Sequence, residues 1–353
     1  LGVFETIGTD AHESVHFGED TASGLKAIVA IHSTVLGPSL GGTRFYPYAD
    51  EQAALVDVLR LSQAMTYKAA AAGLAQGGGK AVIIGDPTHL RSDDLFRAYG
   101  RFINGLAGRY ITAEDVGTTV ADMEIVASET SFVSGLPVTD GGSGDPSPAT
   151  AMGVAASMRA VSSYLWGMDN LNGRKVAIKG VGKVGMELAG VLAAQGVELV
   201  VADVNSEATD AASTAFGAKV VSIEDIHTIE CDFFSPCALG GDLNGATIPQ
   251  MSCAAVVGSA NNQLAAEGDA NRLAERGILY APDFVVNAGG IINIAAEADG
   301  YSIEKADRMV ESIYDTLSKV LRTSDSLGVS TDDAAKHVAE TRISEATKRG
   351  GQS

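Results

Sequence analysis

The sequence predicts an α/β chain of two domains: an N-terminal mixed α/β domain, then a doubly wound parallel-sheet domain, with a cleft between them. Three observations lead there. Short apolar runs at 175–180, 198–203, 218–221, 231–237, 254–260 and 278–283 alternate with helical segments, the rhythm of a parallel sheet covered on both faces. Before them, Val138-Thr139-Asp140-Gly141-Gly142-Ser143-Gly144-Asp145-Pro146-Ser147-Pro148 lacks periodicity and reads as a linker or hinge. A chain of 353 residues also suffices for two separate cores. The expected division sets 1–140, with 328–353 packing back onto it, against 141–327.

In the first domain, the turn residues Glu19-Asp20-Thr21-Ala22-Ser23 precede an apolar stretch from Gly24 to His32, which suggests an early hairpin. Asp50 is suited to cap a helix running to about Ala72, because Ala54, Val58, Leu61 and Met65 recur at helical spacing. A strand at 80–84, a helix at 92–106 and a short strand near 110–113 complete a mixed sheet. Asp115 then falls just past a strand end, where functional side chains are commonly displayed. After the hinge come a helix near 149–166, the strand and helix alternation, and two amphipathic helices at about 302–327 and 331–347. Residues 348–353 read as a frayed tail.

Composition is that of an ordinary globular protein, 46% hydrophobic and 20% charged. No run of about 18 apolar residues occurs, so no bilayer-spanning helix is expected. The first six residues lack the basic start and apolar core of a secretion signal, and the cytoplasm is the expected compartment. A formal charge of −19 argues against nucleic acid and anionic membrane, which need a basic face, and leaves small molecules as the expected partners. Cys231, Cys237 and Cys253 are an odd number within apolar runs and read as reduced thiols. The histidines are scattered singly, and no metal-ligand spacing is present.

Lys175-Val176-Ala177-Ile178-Lys179 runs as a strand into Gly180-Val181-Gly182-Lys183-Val184-Gly185, and a helix follows. In this GxGxxG arrangement the first glycine permits a tight turn, the second lets backbone approach a pyrophosphate, and the third lets the helix pack closely on the strand. Amides at the helix start then face the phosphates. The next strand ends in Asp203, twenty-three residues after Gly180, followed by Val204. A carboxylate there accepts from ribose hydroxyls and repels a 2′-phosphate, so a Rossmann-type domain holding NAD rather than NADP is expected. Otherwise Asp203 is a cap or turn residue. Lys183 either pairs with the pyrophosphate or is simply solvated. Later strand ends offer Cys237-Ala238, Ala260-Asn261-Asn262 and Asn287-Ala288-Gly289-Gly290, where small residues suit a flat ring. The asparagines are either cofactor contacts or turn residues.

A pair of lysines points to amine chemistry. Lys68, in Met65-Thr66-Tyr67-Lys68, closes the long helical stretch, and Lys80 follows Gly77-Gly78-Gly79 and opens the apolar strand Ala81-Val82-Ile83-Ile84. Burial and a neighbouring cation both favour the free amine, which is the form that acts as a base. Gly41-Gly42-Thr43-Arg44 lies upstream and Ala113-Glu114-Asp115-Val116-Gly117-Thr118-Thr119 downstream. With these segments in this order, the chain resembles the glutamate, leucine, phenylalanine and valine dehydrogenases from about Gly24 to Arg342, and most resembles the leucine and valine members.

The resemblance implies NAD-dependent, reversible oxidative deamination of an L-amino acid to a 2-keto acid and ammonia. It assigns the substrate α-carboxylate to Lys68, activation of water to Lys80, and proton exchange with the nitrogen to Asp115. It also implies that Gly41, Gly42, Met65, Gly77 and Asn261 approach the substrate, that Asn261 and Asn287 face the nicotinamide and its ribose, and that Thr150 touches the carboxamide. Where the glutamate enzymes carry a lysine and a hydroxyl for the second carboxylate, this chain has Leu40 and Ile294. With Ala113 and Ile291 these form an apolar pocket for leucine, valine and isoleucine. The leucine enzymes often carry valine at both isoleucine positions, so the pocket narrows toward valine. A phenylalanine dehydrogenase of the same family and a non-catalytic NAD-binding sensor are the alternatives. A chain ending soon after Arg342 implies a homodimer rather than the octamer of the leucine enzymes. Closure about the hinge would bring the substrate carbon to the cofactor.

Overall fold

A computed structural model describes residues 3–7, 12–266 and 268–350, so the end of the expected tail, 351–353, lies outside the described residues. The chain forms two compact units. One comprises Leu1–Asp145, Ile294–Ser302 and Ala339–Ser353, the other Pro146–Asn293 and Ile303–Val338. These limits differ from a division at 140/141 and 327/328, and the polar contacts give the reason. The Glu297 carboxylate accepts from the Gly135 amide at 3.1 Å and the Ser143 amide at 2.7 Å, fastening both 294–302 and the Gly141-Gly142 stretch to the first unit. The Arg342 guanidinium donates to the carbonyls of Ala69, Ala70 and Leu74 at 3.2, 3.0 and 2.7 Å, which ties the chain end to that unit as well. By contrast the Thr331 hydroxyl donates to the Tyr280 carbonyl at 2.5 Å, holding the start of the last helix in the second unit.

The first unit is built on β1 (Ser14–Asp20), β2 (Leu25–Ser33), β3 (Ser39–Tyr46), β4 (Gly77–Ile84) and β5 (Tyr110–Glu114), in the order β1-β2-β4-β3-β5. The expected hairpin is β1 antiparallel to β2; β2 and β4 are also antiparallel, whereas β3 runs parallel to both β4 and β5. The helix Glu51–Ala71, capped by the Asp50 carboxylate on the Ala53 amide, covers one face through Ala54, Leu55, Val58 and Leu59 against Ile28, Ala30 and Val82. The opposite face packs Phe45, Phe96, Tyr99 and Tyr110 beneath the Asp93–Asn104 helix, which Ser92 caps. On that face Tyr110 donates its hydroxyl to the Gly41 carbonyl at 2.6 Å, so a buried polar ring is satisfied by the sheet itself.

The second unit is a six-stranded, wholly parallel sheet of β6 (Lys175–Lys179), β7 (Glu198–Ala202), β8 (Lys219–Val220), β9 (Cys231–Pro236), β10 (Cys253–Val256) and β11 (Leu279–Tyr280), ordered β11-β10-β9-β6-β7-β8. Strand order reverses between β6 and β9, and a doubly wound sheet opens its binding crevice at the carboxyl ends of such a pair. The helix expected at 302–327 is two, Ile303–Glu311 and Ile313–Leu327. At the break the Ser312 hydroxyl donates to the Met309 carbonyl at 2.6 Å, a local bond that competes with the helical ladder. Among the described residues no helix is long and apolar enough to cross a membrane.

Candidate active site

Side chains alternate across a strand, so Gly78 and Lys80 point to one face of β4. A Cβ on Gly78 would stand 2.1 Å from the Thr66 amide nitrogen, which shows that this face meets the long helix at the turn preceding Lys68. The register sets Leu40 opposite Gly78 and Ile111, and Gly42 opposite Ala113. Leu40, Gly42 and Ala113 therefore share a face with Lys80, and Leu40 and Ala113 are buried there. Met65 and Lys68 lie half-buried on the last turns of the helix.

Lys80 is buried to 6% exposure, and its Nζ lies 2.7 Å from Asp115 Oδ2. Arg44 Nε stands 3.5 Å from the same oxygen, while its Nη1 reaches Asp57 Oδ2 at 2.9 Å. The Tyr48 hydroxyl donates to that Asp57 oxygen at 2.7 Å, and Arg60 meets the other at 3.0 Å. Charges thus alternate from Lys80 through Asp115 and Arg44 to Asp57. Burial pushes the Asp115 carboxyl up, but Lys80 and Arg44 together outweigh it and hold the group below the usual carboxylate range. Asp57 is held low in the same way, burial being outweighed by Tyr48, Arg60 and Arg44.

Asp115 does not cap a helix. Thr119 caps Val120–Ala127, with Asp122 completing a capping box. The Asp115 amide donates to the Thr118 hydroxyl at 2.9 Å, and that hydroxyl reaches the Thr43 carbonyl at 2.9 Å. Gly117 makes the turn possible, since its φ is +82° and a Cβ there would stand 1.9 Å from the Phe45 carbonyl oxygen. Of the glycines expected at the substrate, Gly41 and Gly77 are required by the sheet: their Cβ atoms would lie 1.9 Å from the Gly79 and Ser33 carbonyl oxygens. Gly42 is constrained on two counts, because its Cβ would stand 2.5 Å from the Glu114 carbonyl oxygen and 2.8 Å from the Asp115 Cβ. Ile291 and Ile294 are carried by the Gly289–Ala295 helix; Ile291 is buried in the second unit and Ile294 half-buried in the first. Arg44 and Asp57 escaped the sequence reading. Arg44 was visible only as the end of a Gly-Gly-Thr-Arg motif, and Asp57 as one polar residue on a helix.

In the second unit the three loop glycines have distinct causes. Gly180, at φ +99°, would bring a Cβ within 2.8 Å of Ala238, and Gly185 would bring one within 2.0 Å of the Gly180 carbonyl oxygen. At Gly182 nothing lies within 4 Å, which is open room for a ligand. Gly182 is also the cap of the Lys183–Ala193 helix and, lacking a side chain, makes no cap bond to that helix start. Lys183 is exposed there and Val184 half-buried. The Val181 amide is engaged elsewhere: it donates to Asp203 Oδ2 at 2.7 Å, while Oδ1 accepts from the Asn205 amide at 2.9 Å. A carboxylate has about four lone-pair sites, so capacity for two hydroxyls remains.

Asp203 lines a cavity of about 310 Å³ with Gly180, Val204, Ala238 and Leu239. Val204 and Leu239 are 91% and 85% exposed, two bare apolar side chains at one cavity. The Cys237 amide donates to the Lys179 carbonyl at 2.8 Å, which brings that strand end beside the glycine loop. Asn287 Nδ2 donates to Asn261 Oδ1 at 2.8 Å and to the Ser259 carbonyl at 3.1 Å, with the buried Ala260 between those two residues. Among the described residues its Oδ1 is buried without a hydrogen-bond partner. Thr150 donates to the Pro146 carbonyl at 2.9 Å, and a Cβ on Gly290 would lie 3.0 Å from the Thr150 hydroxyl. An open helix start, a ribose-type carboxylate, an apolar cavity and an unsatisfied buried amide oxygen fit a nicotinamide dinucleotide.

Two family models match the chain. One is described as Glu/Leu/Phe/Val dehydrogenase, dimerisation domain, over residues 11–132, and the other as Glutamate/Leucine/Phenylalanine/Valine dehydrogenase over 201–351. Leucine dehydrogenase of Bacillus cereus is 52% identical over 343 residues, covering 97% of this chain and 94% of its own. Valine dehydrogenase of Streptomyces virginiae is 49% identical over 352 residues, with 98% of each covered. Among solved structures, L-tryptophan dehydrogenase from Nostoc punctiforme superposes with a TM-score of 0.88 at 44% identity, covering 98% of this chain and all of that one.

Proposed function

The chain belongs to the glutamate/leucine/phenylalanine/valine dehydrogenase family, and from that premise we propose that it catalyses NAD-dependent, reversible oxidative deamination of leucine, valine and isoleucine. The observation that carries this reading is the buried Lys80–Asp115 ion pair on the sheet face it shares with Leu40 and Ala113. Lys68 binds the substrate carboxylate, leaving the α-carbon and its nitrogen over the Lys80–Asp115 pair. Asp115 takes a proton from the substrate ammonium. A bound nicotinamide supplies the hydride acceptor. Lys80, as the free amine after losing its proton to solvent, takes a proton from the water that adds to the iminium carbon, and Asp115 returns its proton to the nitrogen. Once it has passed that first proton to solvent, Lys80 takes the hydroxyl proton of the carbinolamine as the C–N bond breaks and ammonia leaves. The 2.7 Å contact supports proton exchange between the two groups.

Leu40, Ala113 and Ile294, all of the first unit, offer an aliphatic side chain no charged partner, and each methylene buried there contributes about 0.8 kcal/mol. Because one methylene discriminates only about 10-fold to 200-fold, all three branched-chain substrates are accepted. Asp203 supports NAD over its 2′-phosphorylated form. The match to a dimerisation domain supports a homodimer, and three free thiols agree with a cytoplasmic setting.

The test is NADH formation at alkaline pH with L-valine, L-leucine, L-isoleucine, L-phenylalanine, L-tryptophan and L-glutamate. Turnover confined to the first three supports the reading. Turnover of the aromatic substrates would overturn the pocket assignment, and no turnover despite NADH binding would leave a sensor.

A further inference from the structure

We propose that Asp242 discriminates between dinucleotides: together with His227 it holds the Lys179 ammonium against the floor of the cofactor cavity, so that this cation is withheld from a 2′-phosphate. The inference rests on the dinucleotide reading of that cavity. Lys179 is the last residue of β6, directly before Gly180, and it lines the same cavity as Asp203. A cavity of that size is roughly 8 Å across, within a lysine side chain's reach of whatever Asp203 binds. An uncommitted ammonium there would be a point-charge binder for a phosphate dianion.

It is committed instead. Lys179 Nζ contacts Asp242 Oδ1 directly and stands 3.4 Å from His227 Nε2. His227 Nε2 in turn lies 3.1 Å from both Asp242 oxygens, and its ring packs on Phe234 at 5.2 Å between centroids. The three side chains are 19%, 10% and 6% exposed, so the cluster is largely screened from solvent. Burial pushes the Asp242 carboxyl up, but His227 and Lys179 outweigh it and keep the group ionised at neutral pH.

The carboxylate is also anchored through its backbone. The Asp242 carbonyl accepts from the Thr247 hydroxyl at 2.5 Å and from Asn244 Nδ2 at 3.3 Å, while the Gly241 amide donates to the Asn262 carbonyl at 2.7 Å. Lys179 and Asp242 cancel, leaving the Asp203 charge uncompensated by them at the ribose end. Discrimination therefore has two parts, repulsion by Asp203 and a cation kept out of play by Asp242.

The test is equilibrium titration of the full-length protein with NADH and NADPH, followed by nicotinamide fluorescence without amino acid. Asp242→Asn should move the ratio of the two dissociation constants about tenfold toward NADPH, the effect expected of one charge-assisted contact. Adding Lys179→Met to that variant should return the ratio toward the wild-type value. An unchanged ratio in Asp242→Asn, or a shift that persists in the double variant, would overturn the inference. Should Asp242→Asn fail to fold, His227→Gln loosens the same clamp and should shift the ratio in the same direction by a smaller factor; no shift there is equally fatal. Failure of the wild type to bind either dinucleotide would overturn the reading of the cavity itself, and this inference with it.

Discussion

Lys80, Asp115, Arg44 and Asp57 in the first unit alternate in charge, each within 3.5 Å of the next, whereas the turn from Gly180 to Gly185 in the second unit is shaped by side chains it lacks. The two regions are therefore vulnerable to opposite changes. A chain of buried charges is damaged by deletion, because each lost partner leaves another group desolvated and uncompensated. A backbone cradle is damaged by addition, because a single Cβ meets a carbonyl or fills the ligand's space.

The largest expected effect comes from deletion in the first unit. Lys80→Ala should lower kcat/KM with a branched-chain substrate by about 10²-fold to 10⁴-fold while NADH binding, followed by fluorescence, is retained. Retained activity would mean that the base lies elsewhere. The second effect comes from addition in the second unit. Gly185→Ala forces a Cβ into the Gly180 carbonyl and should cost roughly 1–3 kcal/mol of stability, read as a lower Tm. Gly182→Ala, with nothing within 4 Å, should melt as the wild type does yet bind NADH more weakly. Equal melting losses in both would erase the distinction between a packing glycine and a ligand glycine.

A subtler change sharpens the charge network. Arg44→Gln removes one of the two cations that hold the Asp115 carboxyl down, so the acid limb of the kcat/KM profile should move to higher pH. Stability changes with it. A carboxyl held low in the folded state contributes stability above its unfolded value of about 3.9, and that contribution is lost as pH falls through the folded value. Denaturant titrations at descending pH should therefore show a smaller acid-dependent loss in Arg44→Gln than in the wild type. The smallest effect is a control outside both regions: Ser92→Ala removes a cap bond to the Leu95 amide and should cost about 1 kcal/mol without altering substrate KM or NADH affinity.

Much of this was legible in the chain. Apolar runs bounded by turn residues located all six strands of the second sheet, and Asp50 marked the start of the long helix. β3 was not legible, although it lies between β4 and β5. Gly41 and Gly42 at its centre have poor strand propensity, and close approach to the Gly79 and Glu114 carbonyls explains them. The helix at Val120–Ala127, capped by Thr119, was hidden likewise.

The sequence alone determined what depends on neighbours along the chain: the periodicities, the Asp50 cap and the spacing of Gly180, Gly182 and Gly185, because covalent proximity sets their geometry. Only the tertiary structure decided which charges meet. Arg44 and Asp57 are 13 residues apart, Lys179 and His227 are 48 apart, and Lys179 and Asp242 are 63 apart. No local pattern links such residues. Sheet order and register bring them together, and burial then makes each pairing obligatory, since an isolated charge in that surrounding would be too costly to keep.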